Sequence, residues 1–469
     1  MALSSDAIVV PETRRTQACY IGHAVTILTE SDPGLSAAAA TRQASLSLKL
    51  AYPAAHFGKS VFWYSSESIF AYLLTEVIKL GPWAVGTILC ASFLISAALD
   101  VGVGFILRRR LTTAASAAKL QLAGSAATSL VVILLFAIPA MQIRSPLPVA
   151  AVAVLLFRIA YAFIDIPQNA MLSIAIKSPN DRASLAASRL AASGLAALAV
   201  AATITALVYS SAEARPAMLV VASCTMAIMV TGVCALLRMV IGNLAAPSSI
   251  AKFASRSERP GVALSQLAWL LMTAQFVTSF ASPIFTKLLP YYASVHLANP
   301  IRGASVIALV SVGMIIGQPL WLAVLRGRSN PFRISATSLA TAAAAAFFCW
   351  AAQQGTWLLV PAACMFGMGS GGIGTTLWAA FADVVADENP GSEGFAFGLF
   401  TAAAKVSLAI GAIGVGWLLS EASFRQPGSR LLAFGMTLPA IGSGLLCGLA
   451  MGLWRRYAAR RVDREKFTE

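Results

Sequence analysis

Arg158 and Asp165 stand seven residues apart in FRIAYAFIDIPQNAML (157–172), a stretch otherwise apolar enough to cross a membrane. A charge near the bilayer centre costs roughly 2.5 to 3.5 kcal/mol even on the lenient insertion scales, so each must face a partner or a wet cavity. On a helix Arg158, Tyr161, Ala162 and Asp165 share one face. The two charges then lie about 10 Å apart along the axis, too far for direct contact, and each needs partners on other helices. An acid on another helix is the expected answer to Arg158. Pro167 frees a carbonyl one turn back, which suits a cavity wall better than a lipid face. Asp100, in LISAALDVGVGF, shares a face with Ser96, while Gly102 and Gly104 leave room for a neighbouring helix or an ion. Two such carboxylates on adjacent helices would make a cation or proton site.

Eight ionisable residues fall in or near apolar spans: Lys59, Glu67, Asp100, Arg158, Asp165, Arg189, Asp383 and Lys405. Four are acids and four are bases, a balance that points to a central polar cavity. The competing reading makes them paired struts between helices, or helix-end residues whose long side chains reach the headgroups. Glu67 and Asp383 fit that reading as well as the first.

The elements that must position these charges are helices. With 58% hydrophobic and 11% charged side chains and a mean hydropathy of +0.77, the chain has the composition of a polytopic membrane protein. Its apolar runs reach about 20 residues and lack the alternation of barrel strands. Twelve spans are predicted, roughly 54–78, 82–107, 119–142, 148–176, 186–210, 217–241, 263–290, 301–325, 332–353, 357–384, 394–420 and 431–454. With a cytoplasmic N-terminus, 23 Lys and Arg fall on the cytoplasmic side, 7 on the other and 4 within spans. That is the positive-inside pattern with both termini inside, and it explains the net charge of +15 without a nucleic-acid partner. The seven cysteines are scattered, with no CxxC and no pairing with the three histidines, which argues against a metal site or a disulfide framework.

The basic, Pro-containing stretch 243–262 (NLAAPSSIAKFASRSERPGV) reads as a cytoplasmic linker between two six-helix halves, 47–242 and 263–455. Residues 1–46 read as a mobile cytoplasmic extension without a signal-peptide layout, and 456–469 as a basic cytoplasmic tail. A weak internal repeat supports the halves: SRLAASGLAALAVAA around Arg189 rhymes with TAAAKVSLAIGAIGVG around Lys405. GMGSGG at 367–372 satisfies GxGxxG but follows no strand, so glycine packing or a bend is the reading there. Gly444, Gly448 and Gly452 form a small-residue stripe expected to pack against the bundle rather than make a dimer. With no HExxH, GxSxG or Walker motif, an enzyme or an ATP-driven pump has no residues to run on.

Five segments together resemble the glycoside-pentoside-hexuronide:cation symporters, a branch of the major facilitator superfamily. They are YPAAHFGKS (52–60), the stretch from Asp100 to Gly104, AYAFIDIP (160–167), NDRASLAASR (180–189), and AFADVVADE followed by GFAFGLFTAAAKVSLAIGAIGVGWLL. The resemblance runs over about 48–455. It implies an all-α membrane protein of major facilitator fold, with twelve transmembrane helices, that moves a sugar, glycoside or related polar solute by alternating access. It also implies a proton, or sodium, as coupling ion and no other cofactor. Asp165, Arg189, Lys59 and Lys405 then resemble the solute-binding residues, and Asp100, Asp165 and Lys405 the cation-coupling ones. Arg182, placed in the loop between spans four and five, matches a family arginine of structural or conformational role. Ser60, Ser96 and Asn169 depart from the pattern, standing where the best-known members carry two aspartates and an aromatic residue. Fewer carboxylates weaken the case for sodium and for galactosides. The expected protein is a monomer in the inner membrane, with a small-molecule solute and lipid as partners. An exporter or lipid-solute transporter on the same scaffold, or a non-transporting sensor or assembly protein, stays open as the alternative.

Overall fold

The computed structural model describes residues 33–466 apart from 71–72, 108–110, 112, 142, 176–177, 210, 212, 245–263, 298–299, 355, 389–392, 421–425 and 427–429. The predicted linker at 243–262 falls almost wholly outside the described residues. Compact packing divides the chain into Met1–Lys49 and Leu50–Glu469. Of the first unit, the described residues 33–49 are helical.

Twelve α-helices occur among the described residues: α1 Pro33–Tyr64, α2 Pro82–Leu107, α3 Ala114–Ala137, α4 Pro146–Ile174, α5 Pro179–Tyr209, α6 Arg215–Leu244, α7 Gln266–His296, α8 Pro300–Val324, α9 Asn330–Gln354, α10 Thr356–Glu388, α11 Glu393–Ser420 and α12 Leu431–Lys466. Four of these, besides α1, open on proline (α2, α4, α5 and α8), whose missing N–H costs nothing in a first turn. The α3 start is fixed by Thr113 and Ser116, each accepting from the other's backbone N–H. Two π-helical turns, Ser65–Ile69 and Leu73–Val77, continue α1 where the sequence predicts an unbroken span to residue 78. Among the described residues, ten helices are long and apolar enough to cross a membrane.

Each set of six helices has its own apolar core. Phe62, Phe70, Phe136, Phe157 and Tyr161 anchor one; Phe285, Phe348, Phe366 and Met436 anchor the other. Outside, large apolar side chains are exposed, including Ile106, Ile228, Trp357, Leu446 and Leu453, whereas Arg158 and Asp100 are fully buried. Charges inside and leucines outside suit a lipid solvent, in which association rests on close packing rather than on water exclusion.

Close packing here depends on glycine. On α2 and α11, which pack together, a Cβ on Gly398 would stand 2.5 Å from the Asp100 carbonyl oxygen and one on Gly104 2.6 Å from that of Gly394. GMGSGG sits in α10 where it meets α8, a Cβ on Gly367 colliding with the Val310 carbonyl, so the glycines serve packing. Gly444 and Gly448 lie against Ser338 and Leu339 of α9, inside the bundle. The six-helix sets meet through α2 with α11, α4 with α10 and α11, and α5 with α8 and α10.

Candidate functional site

Asp165 is the node of the buried charge cluster. Its Oδ1 accepts from Lys59 Nζ of α1 at 2.6 Å and from Asn169 Nδ2, one turn along α4, at 2.8 Å. Its Oδ2 accepts from Lys405 Nζ of α11 at 3.3 Å. The same ammonium lies 2.6 Å from Asp100 Oδ2 of α2, in a second ion pair. Lys405 therefore occupies the space between the two carboxylates from which the sequence builds a cation site. Five of the predicted residues, Lys59, Asp100, Asp165, Arg189 and Lys405, are brought together from five helices of both sets.

Arg189 joins through Asn169, whose Oδ1 accepts from Arg189 Nη2 at 3.1 Å and from Lys59 Nζ at 3.0 Å. Its guanidinium stacks on Trp378 of α10 at 3.7 Å from the ring centroid, while its Nε and Nη1 have no hydrogen-bond partner. The Tyr52 hydroxyl lies beside it, within its hydrogen-bonding reach, and donates to the Gln168 carbonyl at 3.0 Å. Nearby, the Ser193 hydroxyl bonds both His56 Nε2, at 3.1 Å, and Ser60, at 3.0 Å. These groups, with Trp63, Tyr161 and Thr401, line a cavity of about 190 Å³, room for one small ring. An amide that holds two cations and a carboxylate, in a low-dielectric cavity, makes every partner's position depend on the others.

Arg158 stays out of this network. It is fully buried, donates from Nε to Ser92 Oγ at 3.2 Å and from Nη1 to Ser66 Oγ at 3.1 Å, and lies 4.4 Å from the Phe93 centroid and 5.6 Å from that of Trp63. No carboxylate stands within ion-pair distance of it among the described residues; Glu67, half-buried in the first π-helical turn, acts on it from farther away. The expected acid partner is replaced by hydroxyls and ring faces, which satisfy donors and attract a cation without cancelling its charge.

Arg182 and Asp383 form a second, separate pair. Arg182 is in the first turn of α5 rather than in the preceding loop, because that helix opens at Pro179. Its Nε donates to Asp383 Oδ1 of α10, whose Oδ2 accepts from Asn330 Nδ2 at 2.9 Å; Asp387 stands 3.9 Å from Arg182 Nη2. This ties the two helix sets at the end of the bundle where α4, α8 and α10 finish. Beside it is a larger cavity of about 420 Å³, lined by Asn180, Ser184, Trp321, Arg326, Arg333 and Thr376 among others.

Sequence reading missed His56, Trp63, Ser193 and Trp378. His56 and Trp63 sit one turn either side of Lys59 on the same helix face, a signal available from spacing; Ser193 is one turn from Arg189. Trp378 reaches the site only through the packing of α5 on α10, which no local pattern encodes.

A family model described as MFS/sugar transport protein matches residues 51–457. A putative glycoside/cation symporter, YagG, of Escherichia coli (strain K12) is 24% identical over 143 residues; the match spans 30% of this chain and 31% of that relative. Among solved structures, a bacterial homologue of the iron transporter ferroportin in an outward-facing state superposes with a TM-score of 0.65 at 11% identity, covering 88% of this chain and 99% of that one. The transporter FucP in its outward conformation gives 0.58 at 12% identity, with 85% and 99% covered. The proton:xylose symporter XylE gives 0.58 at 14% identity, with 88% and 94% covered. At these identities the structures establish the fold, that of the major facilitator superfamily.

Proposed function

The chain belongs to the MFS/sugar transport protein family, and we propose that within it this protein is a secondary active transporter coupling a small polar solute to a proton or sodium ion. The solute class is a sugar, a glycoside or a related compound. The observation that carries the reading is Lys405: one ammonium from α11 holds Asp165 of α4 and Asp100 of α2 together. Solute hydroxyls arriving at Asp165, Asn169 and Arg189 compete with Lys59 and Lys405 for the same oxygens. Lys405 is then released toward Asp100, and the coupling ion enters or leaves as that carboxylate changes partner. Because the exchanged groups belong to helices of both sets, occupancy of the site biases the arrangement of one set against the other, which is the linkage alternating access requires.

The Arg182–Asp383 pair is the lock of one end in this cycle. The positive-inside distribution assigns that end to the cytoplasm, in the inner membrane, with both termini on the same side. The working unit is a monomer, since the site is complete within one chain. A thermal-shift screen of the purified protein against sugars, glycosides and small acids at two pH values, with and without sodium, tests the reading. One solute class raising the midpoint in a pH- or sodium-dependent way, followed by gradient-driven uptake of it into proteoliposomes, is the expected result. A hit that moves down its own gradient only, at every ion composition, contradicts the coupling.

A further inference from the structure

We infer that the solute is a small organic anion, carrying one carboxylate or a similar single anionic group. This rests on the transport reading above and narrows its substrate class.

The charges of the central site do not balance. Lys59, Arg158, Arg189 and Lys405 are each at most 5% exposed, and among the described residues the carboxylates within ion-pair distance of any of them are Asp100 and Asp165. Both carboxylates are committed, Asp165 to two ammonium groups and Asp100 to one. Counting Glu67, which reaches Arg158 only at long range, the cations still outnumber the acids. Ser60 and Ser96 occupy inward positions where an acidic side chain would restore equality; Ser60 is spent on Ser193, and the Ser96 hydroxyl is buried with no partner. The surplus appears as unused donors: Nη2 of Arg158 and Nε and Nη1 of Arg189 are buried and bonded to nothing. Arg189 lines the cavity itself. Arg158 does not line it but lies 5.6 Å from the ring centroid of the cavity-lining Trp63, which has Lys405 at 5.5 Å.

A neutral solute with hydroxyl groups could occupy those donors but would leave the net charge in a medium of low dielectric, where an uncompensated ion is costly. An anion supplies both the acceptor and the charge. Its place is between Arg189 and Lys59, the cavity-lining cations that share the Asn169 oxygen.

The second cavity carries the same sign. Arg326 and Arg333 line it, neither in an ion pair among the described residues, and the Arg333 Nε is buried without a partner. Asp383, at the same end of the bundle, is already taken by Arg182 and Asn330. The arginines of the second cavity favour anions there as well.

The test is equilibrium binding to the purified full chain at constant ionic strength, using matched pairs: gluconate against sorbitol, glucuronate against glucose, benzoate against benzamide. The anion of at least one pair is expected to raise the thermal midpoint at concentrations tenfold or more below its neutral counterpart. Arg158→Gln should reduce that preference by about tenfold, the worth of one fixed charge about 10 Å away at an effective dielectric near 20, while Arg158→Lys keeps it. Unliganded midpoints show whether each variant is folded, and Arg333→Gln, on the exposed cavity, provides a second charge removal that spares the core. Neutral members binding as well as the anions overturn the inference and leave the transport reading standing. The same midpoint rise with chloride alone, making anion binding independent of the organic part, also overturns it. If no member of any pair binds and broad screening finds no transported solute, the transport reading itself falls.

Discussion

Two buried charge assemblies join the helix sets, and they are built on opposite plans. At the bundle end, one guanidinium meets one buried carboxylate, with Asn330 on that carboxylate's remaining oxygen and the exposed Asp387 3.9 Å from the guanidinium. In the centre, one carboxylate serves Lys59, Lys405 and Asn169 at once, and Lys405 serves a second carboxylate besides. A closed pair has two states, made and broken, which is what a lock needs. A shared network has many partner arrangements of similar energy, which is what a site needs if a solute and an ion are to replace one another there.

The comparison breaks most readily at its node. Asp165→Asn leaves Lys59 and half of Lys405 without a counter-charge; removing one partner of a buried pair costs about 3 to 5 kcal/mol. The thermal midpoint should fall and transport should vanish, and an Asp165→Asn protein with normal uptake would show that the network is scaffolding. Next in size is the lock. Asp383→Asn should cut transport strongly, and the double variant Arg182→Asp with Asp383→Arg should recover a good part of it, because a closed pair tolerates reversal. The same reversal at Lys59 and Asp165 should recover nothing, since Lys405 and Asn169 would then face the wrong charge. Equal recovery at both places would erase the distinction.

A smaller effect is expected at the α2–α11 contact that holds Asp100 opposite Lys405. Gly398→Ala places a methyl 2.5 Å from the Asp100 carbonyl oxygen, an overpacking worth about 1 to 3 kcal/mol, and should weaken coupling more than folding. Least of all, Asn169→Ala removes the bridge between Lys59 and Arg189. About 1 kcal/mol of stability is the expected loss, with solute affinity down roughly tenfold, read from titration of the midpoint. An unchanged affinity would take Asn169 out of the site.

The sequence made the helices and most of the site legible for physical reasons. Apolar length marks α2 to α6 clearly, with proline starts at α2, α4 and α5, and an ionisable residue in an apolar span has few places to go, so Asp100, Asp165, Arg189 and Lys405 announce themselves. What stayed hidden depends on packing between distant segments. Arg158 was expected to find an acid and found Ser66, Ser92 and Phe93, because the π-helical turn after Tyr64 carries Ser66 to it, and local sequence gives no sign of that turn. Asp383, apparently partnerless at the end of its span, meets Arg182 because α5 begins seven residues earlier than its apolar run. Trp378 needed the α5–α10 contact to be known.

The central claim is that Asp100, released and re-engaged by Lys405, couples the ion to the solute. It is tested most directly in proteoliposomes with Asp100→Asn, comparing accumulation against a solute gradient with exchange at equal concentrations on both sides. Loss of gradient-driven accumulation with exchange retained is the predicted result; accumulation equal to that of the unsubstituted protein would contradict it.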